Sequence, residues 1–228
     1  MSDKIVDIEA AIAVIGEGAT IMIGGFGVPG TPFCLLDELV RQGPKGLTLI
    51  KNDANENGMG VDHLLLNNQV EKLIVSHIGL NFNAIKLMNE GRLEVELCPQ
   101  GILAERIRNA GAGLFGFLTD IGIDTTLAQD KPRFEIDGQM LLLEKPLRAD
   151  FALIHAAHAD PLGNLTYATA AQNFNPLMAM AAQHVIVETE ILNETGDLSP
   201  EAIHTPAPFV DRLVKLPGLT EDYGVIRR

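Results

Sequence analysis

Short apolar runs rich in β-branched residues alternate along this chain with stretches whose apolar positions recur every three or four residues. That alternation predicts an α/β fold: an open, mostly parallel sheet flanked by helices. Asp7 to Ile15 reads as an opening amphipathic helix stopped by Gly16 and Gly18, and ATIMIGG as a buried strand bounded by glycine. Thr31 is placed to cap a second helix that starts at Pro32 and carries Phe33, Leu36, Leu39 and Val40 on one face before Gly43-Pro44 ends it. Further strands are expected at LTLIKND, KLIVSHI and LEVELC, and helices at NFNAIKLMNEG and GILAERIRNAG. RFEIDGQMLLLEKP reads as a hairpin turning at Asp137-Gly138. The strand DFALIHAA follows, then LGNLTYA and HVIVETE around a helical NPLMAMAAQ. The tail from Ser199 to Arg228 mixes proline with short apolar groups and is expected to lie over the surface or a partner. With no linker, repeat or low-complexity tract, residues 1–228 form a single domain in this reading.

Composition narrows the function classes. The 228 residues are 46% hydrophobic, enough for one sizeable core, and their net charge is −13. Such a surface repels phosphate backbones, and no basic patch offsets it, so nucleic acid is not an expected partner. The apolar runs fall well short of the roughly 20 residues that cross a bilayer, so no membrane association is expected. The opening MSDKIVDIEA fits neither a secretory signal nor an Arg-rich transit peptide, and Cys34 and Cys98 make no disulfide framework. A cytoplasmic location is the expectation.

The most informative stretch is Ile23 to Pro32, IGGFGVPGTP, at the end of the first strand, where parallel α/β sheets collect ligands. Gly25 to Gly30 satisfies G-x-G-x-x-G, and Asp53 ends the next strand, so a dinucleotide fingerprint and an NAD(P)-dependent oxidoreductase form one reading. Geometry argues against it. The helix start falls after the last glycine, and Pro29 and Pro32 each remove an N–H that a pyrophosphate would need. What remains is a bend whose amides at Gly24, Gly25, Phe26 and Gly27 are expected to be free to face an oxyanion or a thioester carbonyl. A plain strand-to-helix turn without a ligand is the bland alternative.

GGFGVPGTP resembles the G-G-F-x-x-x-G-x-P signature of the A (α) subunit of family I coenzyme A transferases. LTLIKNDAN, ELCPQGILAERIRNAGAG, LEKPLRADFALIHAAHADPLGNLTY and NFNPLMAMAA resemble four further blocks of that family, in its order, over about residues 15 to 210. The NDAN, SHIG and PLRADFALI stretches are most similar to acetoacetate-specific members that use acetyl- or butyryl-CoA. The resemblance implies the coenzyme A transferase fold and ping-pong exchange of CoA between a thioester and a carboxylate, with CoA thioesters as substrates and no permanently bound cofactor. It implies that the nucleophilic glutamate sits on a B (β) subunit, so that this chain works in an A2B2 heterotetramer and holds no catalytic nucleophile of its own. It further implies that Gly24, Gly25, Phe26, Gly27, Val28, Pro29 and Gly30 form the glycine loop at the thioester. Asn52, Asp53 and Gln100 would line the acyl and carboxylate site, and Gly101 would let backbone approach closely. A non-catalytic protein sensing acyl-CoA or a sugar phosphate on the same scaffold is the alternative from another class.

Three departures from the family pattern stand out: Glu17-Gly18 before the first strand, Asp120-Ile121-Gly122-Ile123-Asp124-Thr125 where P-T-G-x-G-T is usual, and Glu56-Asn57-Gly58. The last resembles the tripeptide that carries the nucleophile in the B subunit, and is read as coincidence in an Asn/Gly turn. His155, His158 and Asp160 are not read as a metal site, because residues three apart on a strand face opposite ways. Cys34, Met178 and Met180 are read as packing residues, Cys98 as a thiol at the pocket rim with no adjacent His or Lys to activate it, and Glu105 and Arg106 as a solvated helix face.

Overall fold

The computed structural model describes residues 4–220 and 222–223. Its strands are β1 (Thr20–Ile23), β2 (Leu47–Ile50), β3 (Val70–Val75), β4 (Glu94–Leu97), β5 (Phe117–Thr119), β6 (Arg133–Ile136), β7 (Gln139–Glu144), β8 (Ala149–Ala159), β9 (Leu165–Thr166), β10 (Ala182–Leu192) and β11 (Arg212–Lys215). The helices are α1 (Ile8–Ile12), α2 (Phe33–Gln42), α3 (Val61–Leu66), α4 (Phe82–Asn89), α5 (Gln100–Gly111) and α6 (Asn175–Ala181).

The main sheet runs β11-β10-β8-β1-β2-β3-β4, every neighbouring pair parallel, with β9 antiparallel beside β8. Alternation along each strand sends side chains to two cores. Ile21, Ile23, Leu49, Leu73 and Leu153 join α1 to α4 on one face. Met22, Ile50, Ile74, Ala152 and Ile154 join α5 and α6 on the other. Both faces being covered, the central strands β1, β2 and β8 are largely apolar, as the sequence pattern requires. From β1 the chain winds outward through β2, β3 and β4, and later through β8, β10 and β11 on the opposite side. The order therefore reverses between β1 and β8, which leaves a crevice at their carboxyl ends.

A separate antiparallel sheet, β5-β7-β6, holds the expected hairpin. Asp137 and Gly138 have φ of 52° and 77°, the left-handed pair that a two-residue hairpin turn needs. Gly43, with φ of 77°, ends α2 as expected. Three expectations change. Thr31 does not cap α2: its hydroxyl donates to the Gly27 carbonyl, and Pro32 occupies the cap position without a side-chain bond. The tail is not merely draped over the surface, because β11 pairs with β10 as an edge strand of the sheet. LGNLTYA supplies only the two paired residues of β9.

The long strands β8 and β10 enclose a buried polar network. His155 donates from Nδ1 to Glu188 Oε1 at 2.8 Å and from Nε2 to Glu190 Oε1 at 3.1 Å. Tyr223 packs its ring against His155, and its hydroxyl donates to Glu188. Burial alone would lower the pKa of His155, but the hydrogen bonds and charges of the two carboxylates outweigh it and raise the value to about 9. The facing groups Cys34 and Tyr223 are themselves raised, to about 12 and well above 10, chiefly by burial, and stay neutral meanwhile. Because the folded value exceeds the ordinary 6.5, the stabilisation is complete below pH 6.5 and lost as pH rises through 9. It amounts to roughly 3 kcal/mol at full strength. Denaturant unfolding at pH 6 should therefore find His155→Gln much less stable than the native chain. By pH 10 the gap should shrink by most of that amount, and a gap independent of pH would contradict the charged state of His155.

Candidate functional site

The carboxyl ends of β1 to β4 converge beside the crevice. The segment Gly24 to Thr31 leaves β1 as a tight bend, in which Gly25, Gly27 and Gly30 have φ of 101°, 58° and 77°. Space is as restrictive as φ. A Cβ on Gly24 would collide with Asn175 Oδ1, and one on Gly25 would lie 2.6 Å from the Thr31 backbone nitrogen.

The bend is held from two sides. On the β2 side, Asp53 Oδ2 accepts from the Gly27 amide at 2.8 Å, while the Gly27 carbonyl accepts from Asn55 Nδ2 at 2.9 Å. On the α6 side, Asn175 Nδ2 donates to the Gly30 carbonyl at 3.1 Å and Asn173 Nδ2 to the Pro29 carbonyl at 2.9 Å. The expectation of four free amides is corrected here. Gly24 N–H donates to Leu153, Phe26 N–H to Pro29 and Gly27 N–H to Asp53. Of the four, Gly25 alone has no hydrogen-bond partner among the described residues.

Asn52, Asp53 and Gln100 come together as the sequence suggests. Gln100 Nε2 donates to Asn52 Oδ1 at 2.8 Å, and Asn52 Nδ2 donates to Asp53 Oδ2 at 2.9 Å. Their roles differ, however. Asn52 and Asp53 are buried, and Gln100 is the exposed end of the chain of bonds. Asp53 also accepts from the Asn55 amide and pairs with Lys51 Nζ at 3.2 Å, so both its oxygens are engaged internally. Burial would raise its pKa, yet the Lys51 charge and three N–H donors lower it overall, and Asp53 stays an anion. Gly101, in the first turn of α5, is exposed with open space around a would-be Cβ, so nothing in this chain approaches it closely.

Beside the bend lies a small cavity of about 80 Å³, walled by Phe26, Val28, Met59, Ile78 and Leu80, with Glu56 and His77 at its polar edge. Glu56 sits on an exposed turn. A larger cavity of about 530 Å³ lies between β4 and the hairpin sheet, but Arg106 is paired with Glu96 and Lys131 with Glu144 there. Arg106 is thus no solvated helix residue. Burial raises the pKa of Cys98, which lines that cavity, and disfavours a reactive thiolate.

The dinucleotide reading fails on occupancy as well as on helix start. The Phe33 amide donates to Tyr223 Oη at 2.8 Å and the Leu35 amide to Glu188 Oε2 at 2.9 Å, so a carboxylate already sits where a pyrophosphate would bind. Among the described residues no group of three His, Cys, Asp or Glu side chains could hold a metal ion, and His158 bonds Asn193. Sequence reasoning missed Lys51, Asn55, Asn173 and Asn175. Lys51 at the end of an apolar strand and the polar runs around NDAN and NFN were the available signals.

An α/β sheet with a glycine bend at its switch point and a polar chain from the next strand ends defines a ligand-binding layout met in several enzyme classes. The comparisons narrow it. Residues 5–216 match the family described as Coenzyme A transferase, and the chain belongs to that family. It is 45% identical over 94% of its length to the acetate CoA-transferase subunit alpha of Escherichia coli (strain K12), covering 97% of that protein. It is 46% identical over 95% of its length to the acetoacetyl-CoA:acetate/butyrate CoA transferase alpha subunit of Clostridium acetobutylicum, covering all of it. In fold it is similar to an acyl-CoA transferase from E. coli O157:H7 solved as a thioester complex with CoA. The TM-score is 0.85 at 20% identity, over 96% of this chain and 48% of that one, so this chain spans about half of that polypeptide.

Two outcomes test the geometry. Lys51→Met should destabilise the protein by about 3 kcal/mol, because it strands a buried carboxylate, and adding Asp53→Asn should recover most of that loss in denaturant unfolding. Gly25→Val should lower CoA transfer at least about 100-fold while the variant still assembles, since the damage is confined to the bend. Native turnover in that variant would remove the bend from the chemistry.

Proposed function

We propose that this chain is the A subunit of a heteromeric CoA-transferase that moves CoA between a short-chain acyl-CoA and a 3-oxo acid such as acetoacetate. One observation carries the reading: the bend leaves the amides of Gly25, Val28 and Gly30 without a hydrogen-bond partner among the described residues, Phe26 to Val28 wall an apolar cavity, and the nearest buried carboxylate, Asp53, is fully engaged. Such a site can stabilise an oxyanion but needs a nucleophile from outside the chain. The names of the two relatives, both alpha subunits at 45–46% identity, support the substrate class and the need for a partner.

In the cycle we propose, a glutamate carboxylate of the partner attacks the thioester carbonyl of the donor. The C–S bond breaks, CoA leaves as thiolate, and an acyl–glutamyl anhydride forms. The thiolate attacks the glutamyl carbonyl, which releases the donor acid as its carboxylate and leaves a glutamyl-CoA thioester. The acceptor carboxylate runs the same two steps in reverse. One thioester replaces another, so the exchange is nearly thermoneutral and needs neither ATP nor a resident cofactor. The Gly25 amide stabilises the developing oxyanion, the Gln100 amide contacts the exposed carboxylate, and the apolar cavity receives a short acyl chain. An A2B2 heterotetramer in the cytoplasm, where acyl-CoA is available, completes the proposal.

Co-expression with the partner and assay with acetoacetate plus acetyl- or butyryl-CoA should give acetoacetyl-CoA, and the isolated chain should give none. Mass spectrometry of the complex incubated with acyl-CoA should find the CoA adduct on the partner. Glu56→Ala should keep transfer within about threefold of native, as expected for an exposed turn residue outside the chemistry. Loss of all transfer in Glu56→Ala, or binding of acyl-CoA without transfer by any complex, would overturn the assignment.

A further inference from the structure

Helix α2 begins immediately after the glycine bend, and its start has no side-chain cap from a neighbouring residue. Pro32 offers no side-chain oxygen, and the Thr31 hydroxyl is turned back to Gly27. The Thr31 carbonyl shares the Phe33 amide at 3.1 Å, and the nearer acceptors come from residues more than 150 positions away in sequence. Tyr223 Oη accepts from the Phe33 amide at 2.8 Å, and Glu188 Oε2 accepts from the Leu35 amide at 2.9 Å. The Tyr223 hydroxyl donates in turn to Glu188, and His155 donates to the same carboxylate. The Tyr223 ring meets Phe33 edge-on, with centroids 4.9 Å apart, and is only 2% exposed.

The network also reaches the bend by its other end. The His155 backbone amide donates to Asn175 Oδ1, and Asn175 holds the Gly30 carbonyl. The bend is thus fixed at Gly30 through Asn175 and at Phe33 through Tyr223, both routes running through the same buried cluster. Tyr223 lies beyond residues 5–216, which match the family. A capping oxygen supplied from the end of the chain makes the geometry of the bend depend on that segment being in place.

We propose that Tyr223 is a positioning residue for the glycine bend, its hydroxyl acting with Glu188 as the remote cap that aims the Gly25 amide. The proposal rests on the CoA-transfer reading above, since it assigns the aimed amide to the reacting oxygen. Tyr223 touches no substrate. It acts through the Phe33 amide, so its loss should alter the chemical step rather than substrate affinity.

Tyr223→Phe, which keeps the ring packing and removes only the hydroxyl, tests this in the complete complex with the partner subunit. Hydrogen–deuterium exchange in residues 24–35 should quicken about tenfold while residues of β2 and β3 exchange at native rates. The kcat for CoA transfer should fall about tenfold, with KM for acyl-CoA within about twofold of native and the melting temperature little changed. Native exchange rates in residues 24–35 would overturn the proposal whatever the turnover. Faster exchange with an unaltered kcat, or a loss confined to KM, would overturn it too. If the native complex transfers CoA from no short-chain donor, the CoA-transfer reading falls, and the exchange contrast alone then decides whether the remote cap holds the bend.

Discussion

The hydrogen bond from the Gly27 amide to the Asp53 carboxylate is the constraint on which the site depends. It ties the bend after β1 to the end of β2, and it is strongest while Asp53 is an anion. Burying that anion would be prohibitive alone. Lys51, fully buried beneath it, and the amides of Asn52 and Asn55 make it tolerable. A charge-assisted bond in a dry setting is stronger and more directional than a neutral one. The bend can therefore hold three left-handed residues in a row of seven without relying on the glycines for rigidity.

The sheet topology explains why this pairing exists at all. β1 lies at the reversal of strand order, so its carboxyl end has β2 on one side and β8 on the other, and the bend collects partners from both. From β2 come Asp53 and Asn55, and from the α6 side, over β8, come Asn173 and Asn175. The bend is held as a rigid part, with the amides of Gly25, Val28 and Gly30 left without a partner among the described residues. That is the electrostatic preorganisation an oxyanion site requires, since donors already oriented cost nothing to turn during the reaction.

Much of the fold was legible because periodicity is a local property. ATIMIGG, LTLIKND and DFALIHAA read as buried strands from their apolar runs, and Asp137-Gly138 specified its own turn. The errors fall where a partner is remote. The tail strand β11 has four residues and exists through its pairing with β10, and α3 has six residues behind a polar loop, too few for a helical period to register. The amides of Gly24 and Gly27 looked free because their acceptors, Leu153 and Asp53, are chosen by tertiary structure, while Phe26 bonds the Pro29 carbonyl within the bend itself. Gln100 entered the site through family resemblance, since nothing in its neighbours announces that it reaches Asn52 across 48 residues.

The same distinction between local and remote partners bears on the chemistry. Both buried carboxylates that hold the bend and the start of α2 are already committed: Asp53 to Lys51 and three N–H groups, Glu188 to His155, Tyr223 and the start of α2. A carboxylate so engaged is a poor nucleophile, because attack would forfeit the hydrogen bonds that stabilise its charge. Exposed Glu56 carries no such commitment, but it sits on a turn that nothing rigid orients towards Gly25. A reaction that needs an attacking carboxylate at this bend is thereby directed to one delivered by another polypeptide. In the proposed cycle the division of labour follows from hydrogen-bond saturation, with the stabilising dipole on one chain and the reactive anion on the other.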